Sequence, residues 1–187
     1  GNASVAKTAK KGADINVLDT WKELTCGDPS IIVAVVDEGV KHSHPDLQAN
    51  MWVNEKEIPG NGIDDDGNGY VDDIHGYNFV DDGPITWGLA GDSGHGTHCA
   101  GTIAAVNNNG KGVSGVAGGS GKGDGCRIMS CQIFSGKNTA SVSGTANAIK
   151  YAADMGASII SCSFGYTVSF PSVNANVDRQ GSSGIEA

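Results

Sequence analysis

The sequence predicts an α/β fold, a parallel sheet in three layers with helices on both faces, and two kinds of pattern point to it. The stretches "SIIVAVVDEG" (30–39), "CRIMSCQIF" (126–134) and "ASIISCSFG" (157–165) are apolar runs of strand length. The first is continuous and β-branched with polar ends, which marks a strand buried on both faces. Between them lie two helical patterns. "HGTHCAGTIAAV" (95–106) spaces Cys99, Ile103 and Val106 for one helical face. "SVSGTANAIKYAADMG" (141–156) does the same with Val142, Ala146, Ile149 and Ala153, and stops at Gly156, a residue suited to the C-cap. Strand, helix, strand, helix, strand is the order of a βαβ-type parallel sheet. Residues 110–125 form a glycine-rich loop, and no internal repeat is visible.

Composition bounds the rest. A chain of 187 residues is long enough for one compact domain and short for two. Its 29 glycines, set against 6% aromatics, predict many tight turns. No apolar run approaches the ~20 residues of a membrane span. No apolar h-region opens the sequence, so no signal peptide is expected within it, and Gly1 in place of Met suggests a processed or engineered start. Five cysteines with no C-x-x-C pair read as free thiols, with one disulfide still possible.

The formal charge of −9 has a local origin, because residues 62–82 hold Asp64, Asp65, Asp66, Asp72, Asp73, Asp81 and Asp82. Such a surface excludes nucleic acid as a partner and points to a cation. From Asp64 the spacing D-x-D-x-N-G-Y-x-D offers oxygen ligands at Asp64, Asp66, Asn68, the Tyr70 carbonyl and Asp72, with Gly69 at the sixth position of a tight calcium loop. His75 stands where such loops carry a bidentate Glu, and Asp73 could substitute. The expected ion is Ca²⁺, the alternative a solvated acidic turn, and the absence of flanking helices argues against an EF-hand.

Two further residues carry chemistry. Asp37 closes the first strand at its carboxyl edge, where open parallel sheets gather functional groups, although such an aspartate also commonly caps a turn. His95 opens the first long helix, where the dipole favours a neutral ring able to accept a proton. A carboxylate at its other nitrogen would orient it. Gly94 and Gly96 are expected to clear space for a substrate backbone. Two other site types fail on their spacing: "GGSGKGDG" lacks the first Gly and the final Ser/Thr of a phosphate loop, and His95, His98 and Cys99 lack the H-E-x-x-H pattern of a zinc peptidase.

"VAVVDEGV" (33–40) followed by "HGTHCAGTIAA" (95–105) resembles the aspartate and histidine signatures of the subtilisin-like serine proteases. "HSHPDL" (42–47), "GVSGVAG" (112–118) and "ASIISCSFG" resemble further segments of that family in the same order, and "INVLDTWKELTCGDPS" (15–30) resembles the start of its catalytic domain. The resemblance implies that residues 1–187 are the N-terminal portion of one subtilisin-like peptidase domain. It implies that Asp37 orients the imidazole, and that His95 serves as general base and then general acid. Ser163, Phe164 and Gly165 match the family's Ser-x-Gly segment, whose backbone pairs with an extended substrate; a plain strand-to-loop exit is the bland alternative. Phe134 and the loop 135–142 would line the other side of the cleft.

Two departures stand out. Glu38 follows the aspartate where family members carry Thr or Ser; it is expected to point outward into solvent, and would raise the histidine's pKa if it faced His95. The family's Gly-Thr-Ser-Met-Ala and Ala-Gly-Asn segments are missing, and Ser182 and Ser183 lack that context. A chain without nucleophile and oxyanion donor is expected to be inactive alone. The expected function is therefore a secreted (extracellular or periplasmic), calcium-stabilised serine endopeptidase acting on polypeptides, its domain completed by a C-terminal part. The alternative is a non-catalytic calcium- or peptide-binding module of the same fold.

Overall fold

The computed structural model describes residue 10 and residues 12–165. In chain order these form α1 (Val17–Glu23), β1 (Ile32–Glu38), a 3-10 turn (Gln48–Asn50), β2 (Gly76–Asn78), α2 (His95–Ala104), β3 (Arg127–Ser135), β4 (Asn138–Thr139), α3 (Val142–Asp154) and β5 (Ile159–Cys162). The strands lie side by side as β2, β3, β1, β5, all parallel, and β4 turns back antiparallel on the end of β3.

β1 explains the layering. Val33 and Val35 enter one core with Ala100 and Ala104 of α2, whereas Ala34 and Val36 enter the opposite core with Ala148, Tyr151 and Ala152 of α3. Period-two alternation thus feeds both faces, as the apolar run requires. α2 and α3 sit on opposite sides of the sheet, and the three-layer expectation holds.

The helices differ from the sequence reading in which side they bury. α2 ends at Ala104 and buries Gly96, Ala100, Gly101 and Ala104; Cys99 and Ile103 lie at the margin, and Val106 is buried beyond the helix. α3 buries Ala148, Tyr151 and Ala152, leaving Val142 81% exposed and Ala146 and Ala153 outside. The spacing had placed Cys99, Ile103 and Val106 of the first helix and Val142, Ala146, Ile149 and Ala153 of the second on the inner faces. In α3 the buried face is turned toward Tyr151, which supplies the apolar bulk.

α1, β2 and β4 were not legible. α1 buries no residue, and Trp21 ties it down by donating from Nε1 to the Val116 carbonyl at 2.7 Å. β2 is only Gly-Tyr-Asn amid aspartates; Gly76 is required there, since a Cβ would stand 1.8 Å from the Ser130 carbonyl oxygen. β4 occupies part of what was expected to be a loop after Phe134. All five cysteines are free thiols.

Candidate active site

Asp37 sits one residue before the end of β1, with its side chain 2% exposed. His95 is the first residue of α2, and its side chain remains 49% exposed. The ring Nδ1 lies 2.8 Å from each Asp37 carboxylate oxygen, and one of those oxygens also accepts the Glu38 backbone N–H at 2.7 Å. Carboxylate and imidazole are therefore paired, and the ring faces solvent on its other side.

The glycines act differently from the expectation. At Gly96 a Cβ would stand 2.1 Å from the Glu38 carbonyl oxygen and 3.3 Å from the Asp37 Cβ. This glycine lets α2 press against the end of β1, which brings the ring onto the carboxylate; it does not open a path for substrate. Gly94 has open space around it, and its φ of 79° is the left-handed turn into the helix.

The electrostatics also correct the dipole argument. The hydrogen bond that the ring donates to Asp37 raises the His95 pKa, burial opposes it, and the charges of Asp37 and Glu38 add to the rise. The ring is thus biased toward holding a proton despite its place at a helix N-terminus. Glu38 does not point outward. Its carboxylate accepts the Ser93 N–H at 3.1 Å, the Ser93 hydroxyl at 2.9 Å and the His95 N–H at 2.9 Å.

Parallel pairing of Val36 with Cys162 brings the residues after β5 to the same sheet end as Asp37. Ser163 and Gly165 are exposed there. Phe164 is half-buried, its ring edge-on to Phe134 with centroids 6.0 Å apart. Ser182 and Ser183 lie outside the described residues.

One neighbour was missed. Cys99, one helical turn beyond His95, places Sγ 3.8 Å from Nδ1 and 3.9 Å from Nε2 of the ring. Asp37, His95 and Cys99 each offer a donor atom within 4.8 Å of the others, and His98 is not among them. Burial raises the Cys99 pKa, the Asp37 charge raises it further, and the Ser163 hydroxyl opposes, so the sulfur stays a neutral thiol. It packs against the ring.

The acidic loop forms a second cluster. Asp64 accepts N–H groups from Gly67, Asn68 and Gly69, which hold its carboxyl below the ordinary range. Asp66 accepts from the Asn68 backbone and the Asn54 amide. Glu57, missed because it precedes the motif, is 6% exposed and accepts from the N–H groups of Asp65, Asp66 and Asp72. Glu57, Asp64 and Asp66 each offer an oxygen within 4.8 Å of the others, a donor set of carboxylates alone, which suits a hard cation.

Two of the other expected ligands, Asp72 and Asp73, are bonded elsewhere. Asp72 accepts the N–H groups of Gly60 and Gly62. Asp73 is fully buried, accepting from Asn54 at 2.7 Å, Asn68 at 3.0 Å and the Tyr151 hydroxyl at 2.6 Å; burial raises its pKa, and these three donors oppose the rise. Asn68 spends its oxygen on the Tyr70 N–H, and the Tyr70 ring packs on Tyr77 and Tyr151. Spacing alone could not show that Asp73 ties the loop to α3.

The model of the subtilase family matches residues 28–186. The chain is 35% identical over 179 residues to Subtilisin-like protease 1 of Plasmodium vivax, covering 93% of this chain and 27% of that protein. It is 32% identical over 151 residues to the Halolysin-like extracellular serine protease Nep of Natrialba magadii, covering 81% of this chain and 23% of that protein. Among solved structures, fervidolysin from Fervidobacterium pennivorans, a keratinolytic enzyme related to subtilisin, superposes with a TM-score of 0.50 at 30% identity over 76% of this chain and 18% of its own. The chain thus spans about a quarter of the length of the two relatives it matches by sequence. Taken with a parallel sheet carrying a paired carboxylate and imidazole at its carboxyl edge, these matches show that the chain belongs to the subtilase family of serine proteases.

Proposed function

We propose that the full protein is a secreted, calcium-stabilised serine endopeptidase, in which Asp37 and His95 are two members of an Asp-His-Ser triad. The observation that supports this best is the contact between Nδ1 of His95 and both oxygens of a buried carboxylate, at 2.8 Å, with the ring half exposed. Holding the proton on Nδ1 leaves Nε2 with a lone pair for the proton of an attacking serine hydroxyl. Asp37 then stabilises the imidazolium, which returns the proton to the leaving amine. The serine and the oxyanion donors come from outside this chain. Ser163, Phe164 and Gly165, the first and last of them exposed, are the residues whose backbone would pair with an extended polypeptide substrate.

Glu57, Asp64 and Asp66 are the residues that would hold the cation, with Asn68, Tyr70, Asp72 and Asp73 as the loop around them. A bound Ca²⁺ would supply positive charge against the mutual repulsion of these carboxylates. Secretion is supported by the extracellular relative. In the full-length protein, His95→Ala is expected to lower kcat by about 10⁶-fold on a peptide substrate, the scale of that loss in subtilisin. Retained activity in the variant would remove His95 from the mechanism, whereas a parent protein that cleaves no peptide would favour the non-catalytic calcium- or peptide-binding module.

A further inference from the structure

We propose that Glu38 is a positioning residue for His95: from the end of β1 its carboxylate caps the first turn of α2 and holds the backbone of the residue whose ring Asp37 holds. The inference rests on reading His95 as the general base. It begins from a deficit. The N-terminal N–H groups of a helix need acceptors, and the residue before the helix usually supplies one from its side chain. Here that residue is Gly94, which has none.

Glu38 fills the gap from far along the chain. Both its oxygens lie 3.1 Å from the Ser93 nitrogen, one accepts the Ser93 hydroxyl at 2.9 Å, and the other accepts the His95 N–H at 2.9 Å. Two neighbouring strand residues would ordinarily point to opposite faces of the sheet. The pairing of β1 with β3 slips between them, with Asp37 opposite Gln132 and Glu38 opposite Phe134. Such an irregularity re-aims side chains, and both carboxylates reach the same helix end. His95 is thereby gripped twice, at Nδ1 by Asp37 and at its backbone nitrogen by Glu38.

The second grip carries a charge. Partial burial raises the Glu38 carboxyl pKa, but the donors at Ser93, Gly94 and His95 outweigh it and keep the group below the ordinary range. A fixed negative charge beside the imidazole favours its protonated form. A general base must be neutral to act, so this charge moves the acid limb of the activity profile upward in pH.

Glu38→Gln and Glu38→Ala in the full-length protein separate the two roles. Titration of the ¹³C-labelled His95 ring by NMR is expected to show a midpoint about half a pH unit lower in Glu38→Gln, with the acid limb of kcat/KM following it. Glu38→Ala is expected also to lower kcat about fivefold, with KM within about twofold of the parent, because the cap is lost while the substrate surface is kept. An unchanged His95 midpoint in Glu38→Gln would overturn the proposal, whether or not Glu38→Ala folds. If the parent protein cleaves no peptide, the proposed function fails instead, and the NMR midpoint still decides the role of Glu38.

Discussion

Asp37 meets its partner 58 residues away, across a contact between strand and helix, whereas Asp64 finds its donors at Gly67, Asn68 and Gly69, inside its own turn. The first carboxylate is buried and holds the ring with both oxygens; the second is half-buried and gathers backbone N–H groups. The contrast separates two ways of holding an acidic group. A local turn can be written into a few consecutive residues, because Asp and Asn bond to backbone groups two to five positions on. A pair such as Asp37 and His95 exists only if two distant elements pack to within a fraction of an ångström. Asp73 joins the regions, since it belongs to the loop by sequence and to the core by its bond with Tyr151.

That contrast can be broken first at Gly96. Gly96→Ala places a methyl group against the Glu38 carbonyl and should cost about 3 kcal/mol in denaturant unfolding, while Gly67→Ala in the loop, which meets no atom and strains only a left-handed backbone with a φ of 71°, should cost about 1 kcal/mol. Similar losses at both positions would mean that helix–strand contact is not what sets the pair. Removing the cation comes next. If the loop holds Ca²⁺, a chelator should lower the thermal midpoint by the equivalent of about 2–3 kcal/mol at a hundredfold excess of ion over its Kd, and Glu57→Gln should abolish most of that response. A chelator response that persists undiminished in Glu57→Gln would move the ion elsewhere.

The smallest effect sharpens the link between the regions. Tyr151→Phe removes one donor from buried Asp73 and should cost about 1–2 kcal/mol near neutral pH. The hydroxyl favours ionised Asp73, so the penalty should shrink as the pH falls through the raised pKa of that carboxyl. A penalty that is flat with pH would mean Asp73 is not the group responding. Unfolding curves of the two proteins at several pH values measure it.

Much of the framework was legible because it repeats. The apolar runs at β1, β3 and β5 and the helical spacing of α2 and α3 survive as elements, with ends shifted by at most three residues. The faces were harder to read. Ala100, Ala104 and Ala148 are fully buried, whereas Ile103 packs at the core's margin and Val142 is exposed. At the site, Asp37 and His95 were visible from their places at element ends and from the family resemblance. Glu38 was misjudged because strand alternation, which the slip opposite Phe134 breaks, sends neighbours of Asp37 outward. Glu57 was missed because it lies seven residues before the first aspartate of the motif and reaches it only through a fold of the loop.

Periodicity, turn chemistry and charge, all properties of neighbouring residues, were enough to foresee a layered parallel sheet, a carboxyl-edge aspartate, a helix-heading histidine and an acid-rich loop. Distances between residues far apart in the chain were not. Which carboxylate holds the ring, which one holds its backbone, and which of the loop's acids faces inward depend on how closely two backbones pack. That closeness comes from glycines and alanines whose role becomes visible only when the atom they lack is seen to have no room.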